Sequence, residues 1–143
     1  MSAPARITAT CLVAGEAEGR VALLTTPLSL WGGFDPESGL IVDATHPQKG
    51  QRIKGRILVM PGGRGSSSSS SVLLESARLG TQPGAIVLVE PDPILVVGAL
   101  VAADLYGVYI PLVSIHESFL DQFTGVDSAQ VSARPGAAFV TFS

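Results

Sequence analysis

The chain is poor in charge, aromatics and cysteine. Of its 143 residues only 15% are charged and 6% aromatic, against 46% hydrophobic, and the net charge is −3. That balance gives no support for nucleic-acid binding, which needs a basic face. Cys11 is the only cysteine. It excludes an internal disulfide, and one thiolate cannot hold an iron–sulfur cluster or a structural zinc. A reduced cytoplasmic compartment is expected. His46 and His116 stand apart, neither with a metal-ligand or catalytic motif around it, so no metal is expected on this chain and no Ser-His-Asp arrangement can be defended. The first ten residues lack an apolar run of signal-peptide length. Ile86–Val89 and Ile94–Ala103 are apolar, but Glu90-Pro91-Asp92-Pro93 divides them, and neither piece is long enough to cross a bilayer. So little surface charge in a chain this apolar points to a partner that covers part of it.

What the sequence does have is a glycine–serine stretch between two apolar segments. Ile57–Met60 stops at Pro61, Gly62-Gly63-Arg64-Gly65 follows, and six serines, Ser66 to Ser71, lead into Val72-Leu73-Leu74. This reads as buried strand, glycine loop, helix start. Serine is a preferred N-cap because its hydroxyl accepts from the first-turn N–H groups. A helix N-terminus after a glycine loop presents donors and a positive dipole end to an anion such as a carboxylate or phosphate. The competing reading is a flexible Gly/Ser linker, but linkers rarely sit between an apolar strand and an apolar helical face. No lysine follows the glycines, so this is not a nucleotide phosphate loop, and Ser68 fills the third glycine's place of G-x-G-x-x-G.

The remaining elements fit one domain over residues 1–143. Ile7–Ala14 and Val21–Thr25 read as strands, with Glu16–Gly19 turning between them as a hairpin. Cys11 is expected in the first strand as a small buried hydrophobe. Ser29–Gly39 is a glycine-rich loop that holds Trp31, Gly32 and Gly33, and Leu40–Asp43 is a short strand. His46 lies in a further loop. A helix to Leu79 closes at Gly80, and Ala85–Val89 is a strand. Asp92 caps, and Pro93 starts, a helix to Tyr106. That helix is apolar nearly all round, so deep burial or a covering partner is expected. Tyr109–Val113 is a strand, Ser114–Phe123 reads as helical, and Asp127–Ala133 and Ala138–Phe142 are closing strands. The fold class is α/β: a parallel β-α-β-α-β core and an additional, partly barrel-like β layer. Ligands of such sheets bind beyond the carboxyl ends of the strands, where the serine loop and the Glu90–Pro93 loop both lie.

Taken together, Leu28–Gly39 (LSLWGGFDPESG), His46–Gln51 (HPQKGQ), Gly55–Ser71 (GRILVMPGGRGSSSSSS) and Glu90–Ile94 (EPDPI) resemble the small subunit of aconitase X. The likeness is clear from Pro27 to Val113 and looser at both ends. It implies a swivelling β/β/α domain that pairs with a large subunit carrying an iron–sulfur cluster, in a hydro-lyase acting on cis-3-hydroxy-L-proline or on mevalonate 5-phosphate. It also implies that Ser66, the first serine after Gly65, is the catalytic base, with Ser67 as the second choice. Gly63, Arg64, Gly65, Ser67 and Ser68 are the implied substrate-binding residues. Relatives carry an arginine just after their serines; here a serine stands there and Arg64 precedes them. From residues alone, a non-catalytic anion-binding or regulatory module and a structural partner subunit stay open.

Overall fold

In a computed structural model, the chain forms a closed barrel with helices packed on one side; the structure describes residues 5–63 and 67–143. Its strands are β1 (Arg6–Val13), β2 (Gly15–Leu23), β5 (Ile57–Met60), β6 (Ala85–Leu88), β7 (Leu112–Ser114), β8 (Ser128–Ala133) and β9 (Ala138–Phe142), in the spatial order β1-β7-β6-β5-β2-β8-β9. A separate two-stranded ribbon pairs β3 (Phe34–Asp35) with β4 (Leu40–Ile41). α1 (Leu30–Gly33) is one distorted turn, non-helical at Trp31 and Gly32. α2 (Ser69–Leu79) and α3 (Pro93–Tyr106) are the two regular helices, and a 3₁₀ helix spans Glu117–Phe123.

The expected β-α-β-α-β core is there: β5, α2, β6, α3 and β7, with β5, β6 and β7 mutually parallel. β2 adds a fourth parallel strand beside β5, in register Val21↔Ile57. β8 pairs antiparallel with β2 and β9, and β9 with β1 through Arg6↔Thr141 to Ala9↔Ala138. The barrel is therefore closed rather than partly closed.

Alternation divides the core in two. Leu58, Met60, Ile86, Leu88 and Leu112 pack with Leu73 and Ala77 of α2 and Leu95, Ala99 and Ala102 of α3. Their neighbours Ile57, Val59, Ala85, Val87 and Val113 join Ala129, Val131, Ala133, Ala138 and Val140 in a second cluster. β5 and β6 are thus covered on both faces, which is why they read as unbroken apolar runs. α3 buries Leu95, Gly98, Ala99 and Ala102, while Val97, Leu100 and Leu105 of its outer face are more than half exposed. Within this chain the helix is not deeply buried.

Three expectations need correction. β1 and β2 form no hairpin: Ala14 alone separates them, β1 pairs with β7 and β9, and β2 with β5 and β8. Glu16–Gly19 is strand, with Glu16 and Glu18 exposed in a polar/small alternation. Gly19 is there for space, since a Cβ would lie 2.8 Å from Gly55 O. The strand expected over Tyr109–Val113 begins at Leu112, and Ser114–Phe123 is strand end followed by a 3₁₀ helix. Leu120 and Phe123, three apart, both join the second core cluster, and three residues per turn put them on one side.

Candidate functional site

Three loops meet at the carboxyl ends of the parallel strands. The chain leaves β5 through Pro61, Gly62 and Gly63. The carbonyl of Pro61 accepts from Val89 N at 3.2 Å and Glu90 N at 2.9 Å, which ties the β5 loop to the one after β6. Gly63 makes an isolated parallel bridge with Leu28, which ties in the loop after β2. On the far side of the serine loop, Ser69 accepts a hydrogen bond on its Oγ from Trp31 N at 3.3 Å. The topology therefore gathers the Trp31, glycine–serine and Glu90–Pro93 motifs, scattered over more than sixty positions in the sequence, at one rim.

The expected base Ser66, with Arg64 and Gly65, lies outside the described residues. Gly63 is half-buried, Ser67 exposed and Ser68 half-buried. Ser68 is the N-cap of α2 but makes no side-chain capping bond. Its carbonyl accepts instead, from Ser71 N at 3.1 Å and Val72 N at 3.2 Å, and the Ser70 hydroxyl donates to Ser67 O at 3.0 Å. Ser69 of the run and Ser76 further along α2 are buried with structural bonds, while Ser67 precedes the helix and is exposed.

Asp92 caps α3 as predicted: its Oδ1 accepts from Ile94 N at 2.9 Å and Leu95 N at 3.4 Å. Its other oxygen faces Gly63. A Cβ built on Gly63 would overlap Asp92 Oδ2 and lie 3.2 Å from Cγ, while one on Gly62 would lie 3.3 Å from Glu90 Cβ. The cap was legible in the sequence; the second contact was not, because it joins positions 29 residues apart.

Trp31 is 60% exposed although its backbone is fixed on both sides. Its carbonyl accepts from Ser29 Oγ at 3.1 Å, and Gly33 O accepts from Val42 N at 2.8 Å. Val42 is itself 43% exposed. These two side chains give the rim an apolar edge.

His46 is buried and has a structural task. Its Nδ1 accepts from Gln48 N at 3.0 Å, which assigns the ring proton to Nε2, 3.3 Å from Thr26 O and 3.1 Å from Thr26 Oγ1. Gln48 in turn accepts from Thr25 N at 3.0 Å and donates to Leu23 O. Together they pin the 43–50 loop to the end of β2. Thr26 and Gln48 carry no sequence signal of that role. His116 caps the 3₁₀ helix by accepting from Ser118 N at 3.1 Å and is exposed. Cys11 lies half-buried in β1, and burial pushes its thiol above the usual value. Among the described residues no group of three or more His, Cys, Asp or Glu could hold a metal ion. A shallow concavity lined by Arg6, Glu16, Gln130, Ser132, Arg134 and Phe139 opens on the outer face of the antiparallel strands, away from the rim.

The arrangement is that of a swivel domain. The sequence model of the aconitase X swivel domain matches residues 6–140, and the chain belongs to that family. A cis-3-hydroxy-L-proline dehydratase of Pseudomonas aeruginosa is 49% identical over 108 residues, which are 76% of this chain and 19% of that protein. The chain thus spans about a fifth of the length of that dehydratase. A phosphomevalonate dehydratase small subunit of Methanosarcina acetivorans is 34% identical over 93% of this chain and 89% of its own length. The crystal structure of Thermococcus kodakaraensis aconitase X in its holo-form superposes with a TM-score of 0.80 at 30% identity, covering 97% of this chain and 98% of that one. Among the described residues no helix is long and apolar enough to cross a membrane.

Proposed function

We propose that this chain, as one domain over residues 1–143, is the swivel half of a two-chain dehydratase. It supplies the base and the carboxylate-binding loop, and a large partner chain in the same cytoplasmic compartment supplies the rest of the site. The observation that carries the reading is the convergence of three separated motifs on one rim at the strand ends, within a chain matched by the family along residues 6–140. The substrate favoured is cis-3-hydroxy-L-proline, because the dehydratase of that specificity from Pseudomonas aeruginosa is 49% identical. Mevalonate 5-phosphate is the second reading, supported by the matching length of the Methanosarcina acetivorans small subunit.

The superfamily's iron–sulfur cluster does not fit the residues of this chain. Cys11 is alone in a strand with a raised thiol value, and the described residues offer no ligand set. The cluster is therefore assigned to the partner. On this chain, Ser66 removes the proton from the carbon next to the one that loses its hydroxyl. A serine is a weak base at its ordinary acidity. A loop that runs into the N-terminus of the 11-residue α2 and carries Arg64 favours the alkoxide by dipole and charge. Backbone N–H groups of Gly63, Gly65, Ser67 and Ser68, with Arg64, hold the substrate carboxylate. The exposed edge of Trp31 and Val42 is where the partner closes over the loop and excludes water.

The test is co-expression with the large chain and dehydration assays on both substrates, wild type beside Ser66→Ala. Loss of kcat by about 10²–10⁴-fold, with the complex intact, is the expected result. Full activity in the variant removes Ser66 and moves the base to Ser67 or to the partner. A module that only binds an anion would lose about 1 kcal/mol of affinity and show no turnover. Trp31 is the only tryptophan of this chain, so its emission, taken as the difference between the wild-type complex and the Trp31→Phe complex, reports closure. A blue shift on adding the large chain is expected, and an unchanged spectrum in a formed complex places the interface elsewhere.

A further inference from the structure

We infer that Asp92 is a positioning residue for the serine loop and acts sterically through Gly63; its bearing on catalysis rests on the dehydratase reading above. The carboxylate does two jobs with two oxygens. Oδ1 caps α3 through Ile94 N and Leu95 N. Oδ2 fills the space where a side chain at Gly63 would begin. Gly63 has no positive φ, so its backbone conformation is open to alanine. Glycine is needed there because of the neighbouring carboxylate.

The fit is a mutual one between two loops. Gly62 lies against Glu90 as Gly63 lies against Asp92, and Pro61 O binds the N–H groups of Val89 and Glu90. The Glu90–Pro93 loop is thus a mould for the start of the glycine–serine loop, and α3 holds the mould in place. The direction in which the chain leaves Gly63 decides where the residues after it point. A base displaced by about 1 Å costs about 10²-fold in rate, so the mould bears on chemistry without touching substrate.

The two jobs can be separated. Serine caps a helix about as well as aspartate but lacks the second oxygen that walls Gly63. Asp92→Ser should keep the amide signals of residues 94–99 in the ¹⁵N spectrum of the full chain and shift those of residues 62, 63 and 67–72. Asp92→Asn, with the same shape and still a cap, should leave both sets in place. Gly63→Ala should disturb both sets, because the new methyl drives the carboxylate off its cap. The deciding variant is Gly63→Ala with Asp92→Ser. The methyl then occupies the space that Oδ2 vacates, with Leu95 Cδ1 at an ordinary 3.7 Å and the serine oxygen taking the place of Asp92 Cγ, which stands at 3.2 Å, and both sets should move back toward wild type. Disturbances that merely add in the double variant, or a Gly63→Ala spectrum that matches wild type, overturn the inference. In the assembled enzyme Gly63→Ala should lower kcat about 10²-fold, and the double variant should recover part of it. If wild type dehydrates neither substrate, the dehydratase reading fails, while the spectra still decide the steric coupling.

Discussion

The parallel and antiparallel sides of the barrel are built on different terms. β5 and β6 are buried at every position, pressed between the barrel interior and the helices α2 and α3. β2 and β8 bury one face and turn Glu16, Glu18, Arg20 and Gln130 to solvent. A strand covered on both sides has no room for an unpaired polar side chain. Polar groups on the parallel side are therefore displaced to the loops at the strand ends, where all three motifs of the candidate site sit. The antiparallel side has instead an open polar face that carries arginines and glutamates along the strands themselves.

This contrast can be broken by measurement. The largest effect should come from Leu58→Ala in β5. Its side chain is fully buried between sheet and helices, and the change should cost about 2–5 kcal/mol in denaturant unfolding. Gln130→Ala on the exposed face of β8 should stay within about 0.5 kcal/mol. Equal costs at the two positions would mean that the helices are not what makes the parallel side rigid.

His46→Ala is the next largest. It removes the pin between the 43–50 loop and the end of β2 and leaves Gln48 N and Thr26 without their partner, at a cost of about 1–2 kcal/mol. Turnover in the assembled enzyme should be retained. A loss of kcat without a loss of stability would place His46 in the site.

The smallest effect concerns acid. The Ser38 hydroxyl first, and then the Glu37 N–H, hold the Asp35 carboxyl below its usual value. A depressed folded value means that Asp35 stabilises the β3–β4 ribbon above its unfolded value, and that this is lost as pH falls through the folded one. Asp35→Asn should flatten that acid limb of Tm against pH and leave neutral stability slightly lower. An unchanged limb would remove Asp35 as its source.

How much was legible follows from the same physics. Unbroken apolar runs at Ile57–Met60 and Ala85–Leu88 announce buried strands, and Asp92-Pro93 announces a helix start, because each signal is local. Glu16–Gly19 was unreadable as strand. Its glutamates and glycine look like a turn until β8 lies beside it in register and Gly55 O comes within reach of Gly19. The serine run looked uniform, yet packing sorted it: Ser69 serves the Trp31 backbone, while Ser67 stays exposed.

By itself the sequence determined the parallel core, the cap at Asp92, the isolation of Cys11 and the family. These rest on patterns a few residues long or on motifs kept in order. Tertiary structure alone decided that the barrel closes through β1 and β9, that His46 is a pin, that Trp31 is held out at the rim, and that Asp92 and Gly63 share one space. Those are contacts between residues distant in sequence, and which distant residues meet is set by packing the whole chain at once.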